Sequence, residues 1–211
     1  MATTARSRDR RDPAEIDDLK GLRAAAEACT RCELYRGATQ AVFGDGPPGA
    51  SLVLVGEQPG DREDLAGEPF VGPAGKLLDR ALRDAGIARD EAYLTNAVKH
   101  FKFEARGKRR IHQRPTIGEI RACRPWLDAE LRVIRPELVV TLGATAAQAL
   151  LGSSFRVTRH RGEVLDWSDG MRVVPTVHPS AVLRAPDDRR AEAFSELVAD
   201  LSAAAEARRK S

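Results

Sequence analysis

The chain has no apolar run long enough to cross a bilayer and no apolar segment near Met1 of the kind that directs secretion. An intracellular, cytoplasmic protein with no membrane association is expected. Cysteine is scarce, with three in 211 residues, and outside secreted chains a Cys-x-x-Cys is more often a metal or redox pair than a structural disulfide. Neither Walker A spacing nor Gly-x-Gly-x-x-Gly occurs, which leaves a phosphate cradle or a dinucleotide site with little support. No linker-like stretch breaks the interior, and at this length one domain is the default. A strong charge imbalance is missing as well: a net charge of +3 is too small to diagnose a nucleic-acid binder. Aromatics are absent from the first 18 residues, which are rich in charge and read as a flexible leader (1–18) before a domain over 19–205.

The stretch that is there, and that organises the rest, is Leu52–Lys76. An apolar run, Leu52–Val55, reads as a buried strand that stops at Gly56. A long loop with five glycines and three prolines follows. Its polar residues Glu57, Gln58, Asp61, Glu63 and Asp64 lie just past the strand's C-terminal end, where open parallel sheets bind ligands. Helix signals resume at Gly72-Pro73-Ala74-Gly75. Phe70 either folds back onto the core or presents its ring to a pocket.

Further along, a helical run over Asp18–Ala28 ends at Cys29-Thr30-Arg31-Cys32, and Cys123 lies far away in sequence. Three cysteines leave one place open in a four-ligand centre. His100, just after a second strand over Ala92–Val98, is the best candidate for it, against the plainer reading of a core or basic-patch histidine. Zinc and an iron–sulfur cluster are both compatible with such ligands. Asn96, inside that second strand, is tied to backbone or aimed at a ligand with a complementary edge, and its amide matches the imide edge of a pyrimidine.

Charge is concentrated in Lys99–Arg114, with seven Lys or Arg against one Glu, and again at Arg156, Arg159 and Arg161. Such patches are the footprint of docked phosphates or simply a solvated basic loop. Within the first, His112 sits among Lys108, Arg109 and Arg110, where nearby positive charge disfavours imidazolium. Its plain reading is one more group in a phosphate-binding loop. A third strand, Leu138–Leu142, and a fourth, Arg172–Val177, follow, the last ending in His178-Pro179-Ser180. Helices are expected over Ile117–Arg132, Ala144–Leu151 and Asp187–Arg208. Strands alternating with helices give an α/β fold, a single three-layer sandwich with a mainly parallel four-stranded sheet.

These residues together resemble the uracil-DNA glycosylase superfamily, from about Leu19 to Leu201. The resemblance is carried by Gly56-Glu57-Gln58-Pro59-Gly60-Asp61, by Gly67 to Gly75, by Thr95-Asn96-Ala97-Val98-Lys99 and by His178-Pro179-Ser180. The cysteine arrangement is similar to that of the iron–sulfur family-4 enzymes, which implies a [4Fe–4S] cluster over zinc on Cys29, Cys32, His100 and Cys123. His100 stands where those enzymes usually have a fourth cysteine, so its ligation is an inference. Gln58 in the first motif and the Lys-Arg-Arg-Ile-His loop are features of the UdgX branch. That likeness implies excision of uracil from DNA, with single-stranded DNA favoured, and capture of the abasic sugar by His112. Glu57, Gln58, Asp61 and His178 would complete the catalytic group. Gly56, Gln58, Phe70, Asn96 and His178 would hold the uracil, and Lys108, Arg109, Arg110 and Ser180 the DNA. A monomer is expected. The rivals are an ordinary multiple-turnover glycosylase and a DNA-damage-binding module without catalysis.

Overall fold

The computed structural model describes residues 12–168 and 170–209. In chain order the elements are α1 (Leu19–Glu27), β1 (Leu52–Gly56), α2 (Asp61–Ala66), α3 (Pro73–Asp84), β2 (Ala92–Asn96), β3 (Phe103–Arg106), β4 (Arg109–His112), α4 (Ile117–Ile134), β5 (Leu138–Leu142), α5 (Ala144–Leu151), α6 (Val157–His160), β6 (Leu165–Asp166), β7 (Arg172–Thr176), α7 (Pro179–Leu183) and α8 (Asp187–Arg209). The central sheet runs β2-β1-β5-β7-β6, parallel except for β6.

Strands buried on both faces need apolar residues at every position, and the period-2 pleat sorts them into two cores. Leu52, Leu54, Leu94, Leu138, Val140, Leu142 and Val174 pack under α3, α7 and α8. Val53, Val55, Tyr93, Val139 and Val173 pack under α4 and α5. On α8, Leu197 and Leu201 are fully buried, as expected of a covering helix.

Four features depart from the sequence reading. The sheet has five strands, because β6 is only two residues long and carries no apolar run of its own. The second strand stops at Asn96, so His100 lies four residues beyond its end. The long loop after β1 contains α2, whose first turn is made of Asp61, Glu63 and Asp64. Carboxylates there complement the unsatisfied N–H groups and the positive end of the helix. The basic loop is instead an antiparallel hairpin, β3–β4, turned through Gly107 at φ 59°.

Residues 1–11 of the expected leader lie outside the described part. The rest of the expected leader is structured: Pro13–Glu15 form a 3-10 turn, and Ile16 is buried with Leu22 and Trp126. Among the described residues no helix is long and apolar enough to cross a membrane.

Candidate active site

The C-terminal ends of β1 and β2 lie side by side, with Gly56 in register with Asn96. A Cβ on Gly56 would come within 2.4 Å of Asn96 Oδ1 and 2.7 Å of the tip of Phe70. Only glycine lets the amide and the ring close over the strand end. Phe70 itself is held at φ 58°, a left-handed conformation that costs a bulky residue about 1–3 kcal/mol. Its carbonyl is tucked against α3 where a Cβ on Gly75 would lie 1.7 Å away. The two alternatives for Phe70 therefore merge: the ring is buried with the α3-side core and also stacks beside His178, with centroids 6.5 Å apart and planes 27° from parallel.

His178 caps the N-terminus of α7, its Nδ1 accepting from the Ser180 backbone N–H at 3.1 Å, with the Ser180 hydroxyl 2.7 Å away. With a backbone donor on Nδ1, the neutral ring carries its proton on Nε2. Burial, then the charges of Arg184 and His112, lowers its pKa to about 4. The ring is thus an uncharged donor at neutral pH. Ser180 thus contacts this ring through both its backbone N–H and its hydroxyl.

His112 ends β4 and is half-exposed. Its Nε2 lies 3.0 Å from Gln58 Nε2 and 3.5 Å from Glu57 Oε1. Its pKa is lowered, as the sequence implied, but the first cause is burial; Glu57 opposes the shift and Arg184 adds to it. The hairpin is pinned to the end of β1 by the Gln58 amide, which accepts from the Lys102 N–H at 3.1 Å and donates towards the carbonyls of Lys102 and Gln113 at 3.2 and 3.0 Å. Arg110, expected on DNA, is occupied elsewhere. Its guanidinium donates to Asp61 at 2.5 Å and to the fully buried carboxylate of Asp64 at 2.6 Å. It also stacks over Phe101 and Phe103. Asp61 thereby helps to hold the hairpin. Lys108 and Arg109 remain exposed at the turn, open to phosphate.

Thr145 and Arg184 carry no motif in the sequence, and Arg114 is only one charge of the basic cluster. Thr145 follows the end of β5 by three residues, and that placement was the available signal. Its hydroxyl donates to Glu57 Oε2 and accepts from Arg114 Nε at 3.2 Å. Arg161, of the second basic cluster, is engaged by Glu196 and Asp200.

For a metal group, the thiols of Cys29, Cys32 and Cys123 lie near enough that the charges of the first two raise the pKa of Cys123, whose thiol burial pushes up to about 12. The Lys99 N–H donates to Cys123 Sγ and the Trp126 Nε1–H to Cys29 Sγ, each at 3.2 Å. Three neighbouring sulfurs, two of them accepting N–H donors, have the chemistry of thiolate ligands. His100 is buried, and that burial lowers its pKa against the pull of Asp64, keeping the imidazole neutral. Among the described residues no three Cys, His, Asp or Glu side chains are drawn together at ligand distance.

An amide and an aromatic ring close over the parallel strand ends, with a neutral imidazole donor beside them, at the edge of the sheet where open parallel sheets bind ligands. The sequence profile of the Uracil DNA glycosylase superfamily matches residues 43–202. Type-4 uracil-DNA glycosylase of Thermotoga maritima is 41% identical over 157 residues, covering 74% of this chain and 78% of that protein. The type-4 enzyme of Sulfurisphaera tokodaii is 36% identical over 183 residues, 83% of this chain and 80% of that protein. That of Archaeoglobus fulgidus is 37% identical over 169 residues, 77% and 81% respectively. The chain belongs to the uracil DNA glycosylase superfamily.

Proposed function

We propose that this protein excises uracil from DNA, single-stranded DNA favoured, and is then joined through His112 to C1′ of the abasic sugar, in the manner of the UdgX branch. Excision is supported by the family and by the grouping of Asn96, Phe70 and His178 at the strand ends. Uracil extruded from the stack would lie against Phe70, with Asn96 pairing to its O4 and N3–H edge. The edge of cytosine mismatches an amide held in one orientation. As the glycosidic bond breaks, its electron pair leaves with the base, and Nε2–H of His178 donates to the developing charge on O2.

Capture is supported by one observation above all: an imidazole with a lowered pKa, 3.5 Å from the Glu57 carboxylate, on a hairpin pinned at both its base and its β4 strand. The lone pair of one ring nitrogen forms the bond to the electron-poor C1′, and the proton on the other passes to Glu57. An N-alkylated imidazole is a poor leaving group, so each molecule acts once. Lys108 and Arg109 contribute phosphate contacts.

Cys29, Cys32 and Cys123, with His100 as fourth ligand, would hold the metal group, a [4Fe–4S] cluster in preference to zinc. Such a cluster would tie the end of α1 and the segment after β2 to α4, close to the hairpin. A yellow-brown protein with about four irons per chain is expected; a colourless protein carrying zinc decides for the alternative.

The main test is a denaturing gel after incubation with uracil-containing single-stranded DNA. A shifted band that survives SDS and heat is expected with the wild type and lost with His112→Ala. Uracil released repeatedly without a shifted band indicates an ordinary glycosylase. Binding without release indicates a damage-binding module. The protein is expected to run as a monomer.

A further inference from the structure

We infer that Thr145 is a positioning residue for Glu57, and that Arg114 and Gln148 are the outer links that set its hydroxyl. This inference rests on the proposed capture by His112. Thr145 lies in the first turn of α5, is 2% exposed, and meets the carboxylate oxygen that His112 does not. Its Oγ accepts from Arg114 Nε, which has no acceptor capacity of its own, so the hydroxyl proton is left to point at Glu57 Oε2. Arg114 is held in turn by Gln148 Oε1 at 3.4 Å, and Gln148 Nε2 donates to the Phe155 carbonyl at 3.2 Å. Each donor in the series Gln148, Arg114, Thr145 hands on a direction, and chains of this kind reinforce one another.

The consequence is geometric. With Oε2 taken by Thr145, the carboxylate rotor is fixed and Oε1 is the oxygen that faces His112. Capture needs that oxygen. The C1′–N1 bond breaks first, its electrons going to uracil, and a ring nitrogen then donates its lone pair to the electron-poor C1′. The imidazole then carries one proton too many, and Glu57 Oε1 takes it. A carboxylate free to swing meets the imidazolium less often in the productive pose, and a displacement of about 1 Å can cost on the order of 100-fold in rate. Excision does not depend on this contact, because leaving-group stabilisation comes from His178. Thr145 therefore acts on the partition between capture and simple release.

The experiment compares wild type, Thr145→Val and Thr145→Ser with excess protein over uracil-containing single-stranded DNA, measuring in one time course the rate of adduct formation, the total uracil released and the protein concentration for half-maximal rate. Valine matches threonine in shape and lacks the hydroxyl; serine keeps it. Thr145→Val is expected to form adduct roughly 10- to 100-fold more slowly, with half-saturation and uracil release within about threefold of wild type. Thr145→Ser is expected to restore adduct formation to within about threefold. On a Glu57→Gln background, Thr145→Val should add no further loss, since both changes remove one interaction. Equal adduct rates in wild type and Thr145→Val overturn the inference and leave capture by His112 standing. A proportional fall in release and adduct, or no rescue by serine, overturns it as well, marking Thr145 as merely structural. No adduct with wild type overturns the capture reading itself.

Discussion

At the scale of single residues, the protonation of His178 is the feature with the most direct consequence. Its ordinary pKa is about 6.5 and its folded value about 4, so between these values the unfolded chain binds the proton that the folded one excludes. Stability is therefore complete above pH 6.5 and is lost as pH falls towards 4, by roughly 3 kcal/mol at 1.36 kcal/mol per pK unit. His178→Asn should weaken that acid-side loss. Urea unfolding of wild type and variant at pH 4.5 and 7.5 measures it, with a residual slope from His112, whose pKa is lowered in the same direction. The same substitution should slow uracil release about 100- to 1,000-fold at neutral pH, as for loss of one donor to a developing oxyanion. A variant that keeps the full acid slope would show that another group titrates.

At the scale of elements, the position of His112 is a property of the hairpin β3–β4, and Arg110 is its clasp. One planar fork spans Asp61 and Asp64 on α2 while lying over Phe101 and Phe103. Lysine has one ammonium and no plane, so Arg110→Lys loses both the fork and the stack. The expected outcome is adduct formation slowed about tenfold relative to uracil release, read as free abasic DNA beside the shifted band; an unchanged ratio would show that Gln58 alone holds the hairpin. None of this could be seen in Lys99–Arg114 as a sequence, where charge at half of the positions hides the alternation a strand needs and suggests a solvated loop. The carboxylates that neutralise it come from 46 and 49 residues away. By contrast, β1 and β5 were legible because burial on both faces demands unbroken apolar runs, and Gly56, Asn96 and His178 were legible because they lie at or just past strand ends. Thr145 was hidden for the opposite reason: a small residue in a small-residue helix carries no pattern of its own.

At the scale of the whole molecule, the pocket and the thiol group are joined through one buried charge. Lys99 is fully buried, pairs with the equally buried Glu130 of α4, and donates to Thr95 Oγ1 at 2.6 Å and to the Asn96 carbonyl at 2.9 Å. Its backbone N–H meanwhile holds Cys123 Sγ. Glu130 also accepts from the Tyr93 hydroxyl at 2.9 Å and from the Gly44 N–H at 3.2 Å, so every lone pair facing the interior is used. A pair satisfied to this degree adds little net stability over apolar residues, yet breaking one side leaves an uncompensated charge, at about 3–5 kcal/mol. Glu130→Gln keeps the shape and removes the charge. Its thermal midpoint should fall by roughly 6–20 °C, at about 2–4 °C per kcal/mol for a chain of this size. Because Lys99 bears on Asn96 at one end and on Cys123 at the other, the loss should not be confined to stability. At a temperature where the variant is still folded, affinity for uracil-containing DNA and metal content should both fall, whereas an ordinary core-weakening substitution such as Leu201→Ala on α8 should lower the midpoint and leave both intact. A Glu130→Gln protein that melts early but binds DNA and metal as the wild type does would show that the network is a structural strut with no hold on the site.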